Sequence, residues 1–271
     1  MNIPYISAEE VRKNLSMEDA IQCTENVYKL KSQDKTVVWP NIFYEFDPGH
    51  ADMDIKSGYL PEQHIFGHKT VAFMEANVQK GLPDLVGLIA VFSSETGMPL
   101  GLVDGSSVTG MRTGAAGAIG AKYLARKNSQ NALIVGTGNQ APFQIAALLK
   151  VFPTLETIRI ANPHNAGHAA AFASKIRAML QTDFAIEAAS VTFEGVSDLK
   201  EAVSDSDIII TITPSHNPLI QKNGSNPAHI FPALVLIWRA KKKLIPKFLR
   251  MPLFLWTTSN TAGTPEKLRF P

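Results

Sequence analysis

Cysteine is nearly absent from this chain: among its 271 residues Cys23 stands alone, which excludes an internal disulfide framework. Charged residues are sparse, at 18%, and the formal net charge is only +2. That balance is uneven. Residues 223–271 carry eight Lys or Arg against Glu266 alone, a net of +7, so residues 1–222 hold 18 bases against 23 acids, a net of −5. The basic excess belongs to the tail, which argues against a nucleic-acid partner for the folded body. Long apolar runs are missing too: residues 85–103 come nearest, but Ser93, Ser94, Glu95 and Thr96 interrupt them well short of a membrane span. The opening residues, MNIPYISAEE, lack the basic and apolar regions of a secretory signal, so a cytoplasmic protein is expected.

What is present is a hydrophobic share of 45%, enough to bury a full core and to build two domains. Residues 131–150, NALIVGTGNQAPFQIAALLK, organise the rest. Ala132, Leu133, Ile134 and Val135 read as a buried strand, Gly136-Thr137-Gly138 as a tight turn, and a helical pattern begins at Ala141. The spacing is G-x-G-x-x-A. In such a turn Gly136 makes the bend, Gly138 lets the backbone approach a pyrophosphate, and Ala141 lets helix and strand pack closely, with the first helical amides facing the ligand. Strand-to-helix turns also carry glycines for steric reasons alone, so the surroundings decide. Residues 157–161 (TIRIA) read as a second strand and residues 165–180 as a helix. A strand near 184–188, a helix near 196–203 and the apolar strand 208–213 follow. Strands alternating with helices predict an α/β fold with a Rossmann-type, doubly wound parallel sheet and a ligand crevice at its carboxyl edge.

The preceding half is strand-rich. Ser7 and Glu10, then Ser16 and Asp19, have the spacing of capping boxes, predicting helices that start there, the second running to about Ser32. Residues 37–59 look extended, with Phe43, Tyr44, Phe46 and Tyr59 packing on a sheet. Residues 66–75, 88–92 and 100–104 read as strands, the last two flanking a turn at residues 95–99. This half predicts an α+β domain. Residues 108–127, VTGMRTGAAGAIGAKYLARK, predict a helix faced with small residues that permit close backbone contact. Arg112 is placed at its N-terminal end, beside Thr109 and Thr113. Its guanidinium is either a surface charge or one half of a bidentate pair with a carboxylate or phosphate.

The run GHKTVAFMEANVQKGLPDLVGLIAVFSSETGMPLGLVDGSSVTGMRTGAAGAIGAKYLARK, followed by GTGNQA and TITPS, resembles the ornithine cyclodeaminase and mu-crystallin family over about residues 5–222. The ordered blocks ETG-x-PL, RT-x-A and G-x-G-x-QA carry the likeness more specifically than the glycines do. The resemblance implies an NAD(P)-dependent enzyme acting on an α-amino or cyclic α-imino acid. Ornithine cyclisation to proline with loss of ammonia, and reduction of pyrroline-2-carboxylate or a ketimine, are both open. A non-catalytic holder of NADP and a small ligand, as in mu-crystallins, is the alternative.

The resemblance also implies the following roles. Lys69 and Arg112 match the family's clamp on the substrate carboxylate and are the expected catalytic pair. Arg112, Thr113, Gly136, Gly138, Asn139, Gln140, Ala141, Asn162, Thr211 and Thr213 match positions around the dinucleotide, and Pro214 completes the TxTPS segment. No metal is implied; a homodimer is. Expected domains are residues 1–120 for substrate binding and dimerisation and 121–222 for NAD(P).

The chain departs from the family pattern at three places. The family commonly has an arginine near residues 40–44, where WPNIFYEF has none; Lys56 is the expected substitute for substrate binding. The second strand ends in Ala161-Asn162-Pro163-His164, with no acid for a ribose 2′-hydroxyl, which favours NADP weakly over NAD. Residues 223–271 do not resemble the family at all, and Leu236 and Ile237 stand where it has a catalytic aspartate. Shifting the reading frame of a back-translation can restore WIQPGTHISCIGA across residues 223–236, so a single-base deletion near codon 223 is expected. Resequencing that found the frame intact, with relatives sharing this tail, would refute it. A membrane-surface segment built from residues 230–238 and the lysines is the rival reading.

Overall fold

The computed structural model describes residues 2–213 and 219–220; residues 223–271 and Pro214, with the expectations placed on them, lie outside the described residues. The chain divides into two compact units between Met111 and Arg112.

In the first unit, β1 (Tyr5–Ile6) leads into α1 (Ala8–Asn14) and α2 (Met17–Ser32). Both helices start where their capping boxes place them: Ser7 accepts from the Glu10 amide at 3.3 Å and Ser16 from the Asp19 amide at 3.1 Å, with each acid returning to the cap amide. Then follow β2 (Val37–Val38), β3 (Ile42–Asp47), β4 (Ala51–Leu60), β5 (Ile65–Met74), β6 (Leu85–Ser93) and β7 (Pro99–Asp104). They form one sheet in the order β1-β7-β6-β5-β4-β2, with β3 also on β4; every pairing is antiparallel except β1 on β7. The aromatic residues of β3 correct an expectation. They lie in a strand, but Phe43, Tyr44 and Phe46 are exposed, because β3 has β4 as its single strand partner among the described residues.

The helix α3 (Gly105–Leu124) starts three residues earlier than the small-residue run predicts and also ends earlier. Asp104 is the reason: its Oδ1 accepts the Ser107 amide at 2.8 Å, an N-cap contact that opens the helix at Gly105. Arg112 is therefore two turns into the helix and not at its N-terminal end, so the helix start offers it no anion site.

The second unit alternates β8 (Asn131–Val135), α4 (Ala141–Val151), β9 (Thr157–Ala161), α5 (Ala166–Phe184), β10 (Thr192–Val196), α6 (Leu199–Ser204) and β11 (Ile208–Thr211). The sheet order is β10-β9-β8-β11, all parallel. The chain reverses direction across the sheet at β8, with β9 on one side and β11 on the other, which makes the carboxyl ends of β8 and β11 a topological switch point. Leu133, Ile134, Ile208, Ile209 and Ile210 are fully buried, as strands covered on both faces require.

One strand was misplaced by the sequence pattern. Residues 184–188 are not a strand: α5 runs on to Phe184, whose ring meets Phe143 edge-on at 5.2 Å, and Ala185 caps the helix in the left-handed region at φ 52°. The strand is β10, and the helix after it starts at Leu199. Gly195 disguised β10, because a Cβ there would overlap the Ala170 backbone; contact with α5 demands a residue of low strand propensity.

Candidate functional site

The turn after β8 holds most of the residues singled out in the second unit. Gly136 has φ +123° and donates its amide to Ala161 O at 2.8 Å, and a Cβ there would lie 2.9 Å from Ile212 O. Only glycine passes between the ends of β8 and β11 in this way. Gly138 differs, since a Cβ on it would meet nothing within 4 Å. Among the described residues nothing requires glycine at that position, and the space over it is open to a ligand.

At the start of α4 the expected donors shift. Ala141, fully buried, gives its amide to Gly138 O at 2.9 Å, and Pro142 has none to give. The first two helical residues therefore offer an anion nothing. The amides of Gly138, Asn139 and Gln140 meet no acceptor among the described residues, and no side chain caps the helix. These loop amides, beside the positive end of α4, are what a pyrophosphate would meet. The turn therefore fits the dinucleotide that its spacing implies.

Around the turn, Asn162 is fully engaged. Its Nδ2 donates to Thr137 Oγ1 at 2.8 Å, while its Oδ1 accepts from the amides of His164 (3.0 Å) and Asn165 (3.2 Å). It ties the glycine turn to the β9–α5 turn. Thr211 and Thr213 are buried, as is Thr113, and Thr113 Oγ1 and Thr211 Oγ1 find no hydrogen-bond partner among the described residues. Buried hydroxyls left without partners are unusual and mark places where a ligand or water completes the bonding. Arg112 is exposed between buried Met111 and Thr113.

In the first unit the structure brings Lys56 and Lys69 together. They face each other across β4 and β5, so both side chains leave the same face of the sheet. Lys69 Nζ donates to Thr109 Oγ1 at 2.8 Å, and that hydroxyl donates to Gly105 O at 2.6 Å. The first turns of α3 thereby fix the direction of the ammonium. Lys56 is paired with Asp54. On the same face, burial pushes the Asp52 carboxyl up, Glu45 opposite it adds to the rise, and Lys56 opposes it. Among the described residues there is no cluster of His, Cys, Asp and Glu able to hold a metal ion. Nor does any described helix have the length and apolarity to cross a membrane.

Sequence reasoning missed Thr109 as the partner of Lys69, although a threonine one turn before Arg112 was in view. The pairing of Lys56 with Lys69 was out of reach, because strand register is set by the connection between β4 and β5 and not by composition.

Comparison with known proteins shows the family. The model of the Ornithine cyclodeaminase/mu-crystallin family matches residues 4–232, which corrects the expectation that the likeness ends at residue 222. The alanine dehydrogenase of Archaeoglobus fulgidus is 32% identical over 224 residues, 82% of this chain and 63% of that protein. The chain thus spans less than two thirds of that relative's length. The Delta(1)-pyrroline-2-carboxylate reductase of Colwellia psychrerythraea is 31% identical over 270 residues, covering 98% of this chain and 81% of that one. Among solved structures, the Thermococcus litoralis Delta(1)-pyrroline-2-carboxylate reductase, in complex with NADH and L-proline, superposes with a TM-score of 0.76 at 27% identity, covering 85% of this chain and 68% of that one.

Proposed function

The chain belongs to the ornithine cyclodeaminase/mu-crystallin family, and from that premise we propose that it is an NAD(P)-dependent enzyme of α-amino or cyclic α-imino acids, with residues 1–120 binding substrate and residues 121–222 binding the dinucleotide. The observation that carries the reading is the turn from Gly136 to Ala141, with an open space over Gly138 and loop amides that have no acceptor among the described residues.

When bound, the dinucleotide supplies or receives the hydride exchanged with the substrate's α-carbon. The protein's part is positioning and charge. Lys69 and Arg112 are assigned to the substrate carboxylate, with Lys56 as a further cation; the Lys69 contact to Thr109 fixes where that charge sits. Gly138, Asn139 and Gln140 are assigned to the pyrophosphate through their amides, while Gly136 and Ala141, whose amides are spent on Ala161 O and Gly138 O, shape the turn. Thr113, Thr211, Thr213 and Arg112 complete the dinucleotide contacts, and Asn162 holds the turn in place through Thr137. The relatives favour reduction of a cyclic imine over ornithine cyclisation: one is named a pyrroline-2-carboxylate reductase, and another was solved with L-proline. NADP over NAD rests on the missing acid after β9; the solved relative holds NADH. A homodimer is supported by the uncovered apolar residues Ile42, Tyr44, Val86 and Leu88 on the large sheet. A cytoplasmic location follows from the same reading.

A second reading, ligand binding without turnover, is favoured by an expectation from the sequence: Leu236 and Ile237 stand where the resemblance places the family's catalytic aspartate. Incubation with NADPH or NADH and pyrroline-2-carboxylate, and with NAD(P)+ and L-ornithine, separates the two. Formation of proline establishes the enzyme. Saturable dinucleotide binding with no turnover establishes the binding protein, and restoring the reading frame after codon 222 would then restore activity.

A further inference from the structure

The helix of the phosphate turn carries one residue that its surroundings do not explain. Gln144 lies in α4 among Ile145, Ala146, Ala147 and Leu148, and like them it has no exposed surface. Its Nε2 donates to the main-chain oxygen of Thr113 on α3 at 2.9 Å, whereas its Oε1 has no hydrogen-bond partner among the described residues. A carbonyl only accepts, so the orientation of the amide is fixed by that contact. The two helices meet backbone to backbone: a Cβ on Gly114 would overlap the Phe143 carbonyl, and one on Gly117 would overlap Gln144 Oε1.

A leucine or methionine would fill this space without burying half an unsatisfied amide, which costs stability. What an apolar side chain cannot do is select one register of α3 on α4. Close-packed helices faced with small residues slide and rotate at low cost; a single directional bond to one carbonyl removes that freedom. The carbonyl chosen is that of Thr113, whose own hydroxyl is buried without a partner and which follows Arg112 directly.

We propose that Gln144 is a positioning residue for the dinucleotide: by holding the Thr113 carbonyl it sets the register of the Arg112–Thr113 segment against the helix behind the phosphate turn. The inference rests on reading that turn as the dinucleotide site. Gln144 touches no ligand in this account and acts through Thr113.

The test is NADH binding by fluorescence, with thermal melting recorded alongside, for the full chain and for Gln144→Met and Gln144→Glu. Gln144→Met keeps or raises the melting temperature and weakens NADH binding about tenfold. Gln144→Glu binds weakly when its carboxyl is ionised and recovers toward the unsubstituted chain as the pH falls, since a protonated carboxyl can donate to Thr113 O and a carboxylate cannot. The unsubstituted chain shows no such step. Should Gln144→Met fail to fold, the pH profile of Gln144→Glu decides alone. Undiminished NADH binding by a folded Gln144→Met, or a pH-independent affinity in Gln144→Glu, overturns the proposal while leaving the dinucleotide reading intact. No binding by the unsubstituted chain overturns both.

Discussion

The two sheets of this chain solve opposite problems. In the parallel sheet β10-β9-β8-β11 the strands β8 and β11 are apolar runs whose Leu133, Ile134, Val135, Ile208, Ile209 and Ile210 have no exposed surface. The antiparallel sheet buries less: Tyr44 is 59% exposed, Leu88 is 42% exposed, and charged Lys56, Lys69 and Asp52 share one of its faces. A dry sheet holds a turn rigidly at its carboxyl edge, whereas a half-covered one can offer charge on one face and apolar surface to a second copy on the other. Fully buried apolar strand is thus concentrated in the second unit, and Lys56 and Lys69, proposed to bind substrate, stand in the first.

The largest expected break in that contrast comes from the cores. Leu133→Ala, in a fully buried strand, is expected to cost about 2–5 kcal/mol, while Leu88→Ala costs under about 1 kcal/mol; chemical denaturation of both variants measures the difference. Equal losses would mean that the large sheet is covered within one chain. Next come the glycines. Gly136→Ala is strained by its φ and by Ile212 O, and should cost about 1–3 kcal/mol. Gly138→Ala leaves the melting temperature unchanged but weakens NADH binding by about tenfold or more. In the first unit, Lys69→Met should raise the KM for a cyclic imino acid by about a hundredfold with the melt unmoved, an expectation for a charge-assisted carboxylate contact.

The smallest effect is electrostatic. Burial would raise the Asp207 carboxyl, but the amides of Gln130 and Asn131 (2.9 and 3.1 Å) and the Arg126 guanidinium (2.5 Å) outweigh burial and hold it below 3.8. A depressed folded value means that its stabilisation is present above the unfolded pKa near 3.8 and is lost as the pH falls through the folded value. Asp207→Asn should therefore lower stability by about 1 kcal/mol at pH 7, and the gap to the unsubstituted chain should close in acid.

The parallel unit was the more legible in sequence, because its strands are apolar runs and its turn needs Gly136 at a position no other residue tolerates. Where legibility failed, a tertiary contact had overridden the local pattern. Gly195 weakened the signal of β10 because α5 lies against it, and Asp104 moved the start of α3, so Arg112 left the helix end. Lys69 and Arg112 are candidates through family motifs alone, while the Lys56–Lys69 pairing and the burial of Gln144 are consequences of register and helix crossing that no local window contains.

The most direct test of the account is a titration of the purified chain with NADPH and with NADH, following nucleotide fluorescence and thermal melting together, with Gly138→Ala beside it. Saturable binding, a raised melting temperature and weakened binding in a stably folded Gly138→Ala are the predicted result. A cooperatively melting chain that binds neither nucleotide, or a Gly138→Ala chain that binds as well as the unsubstituted one, would contradict it.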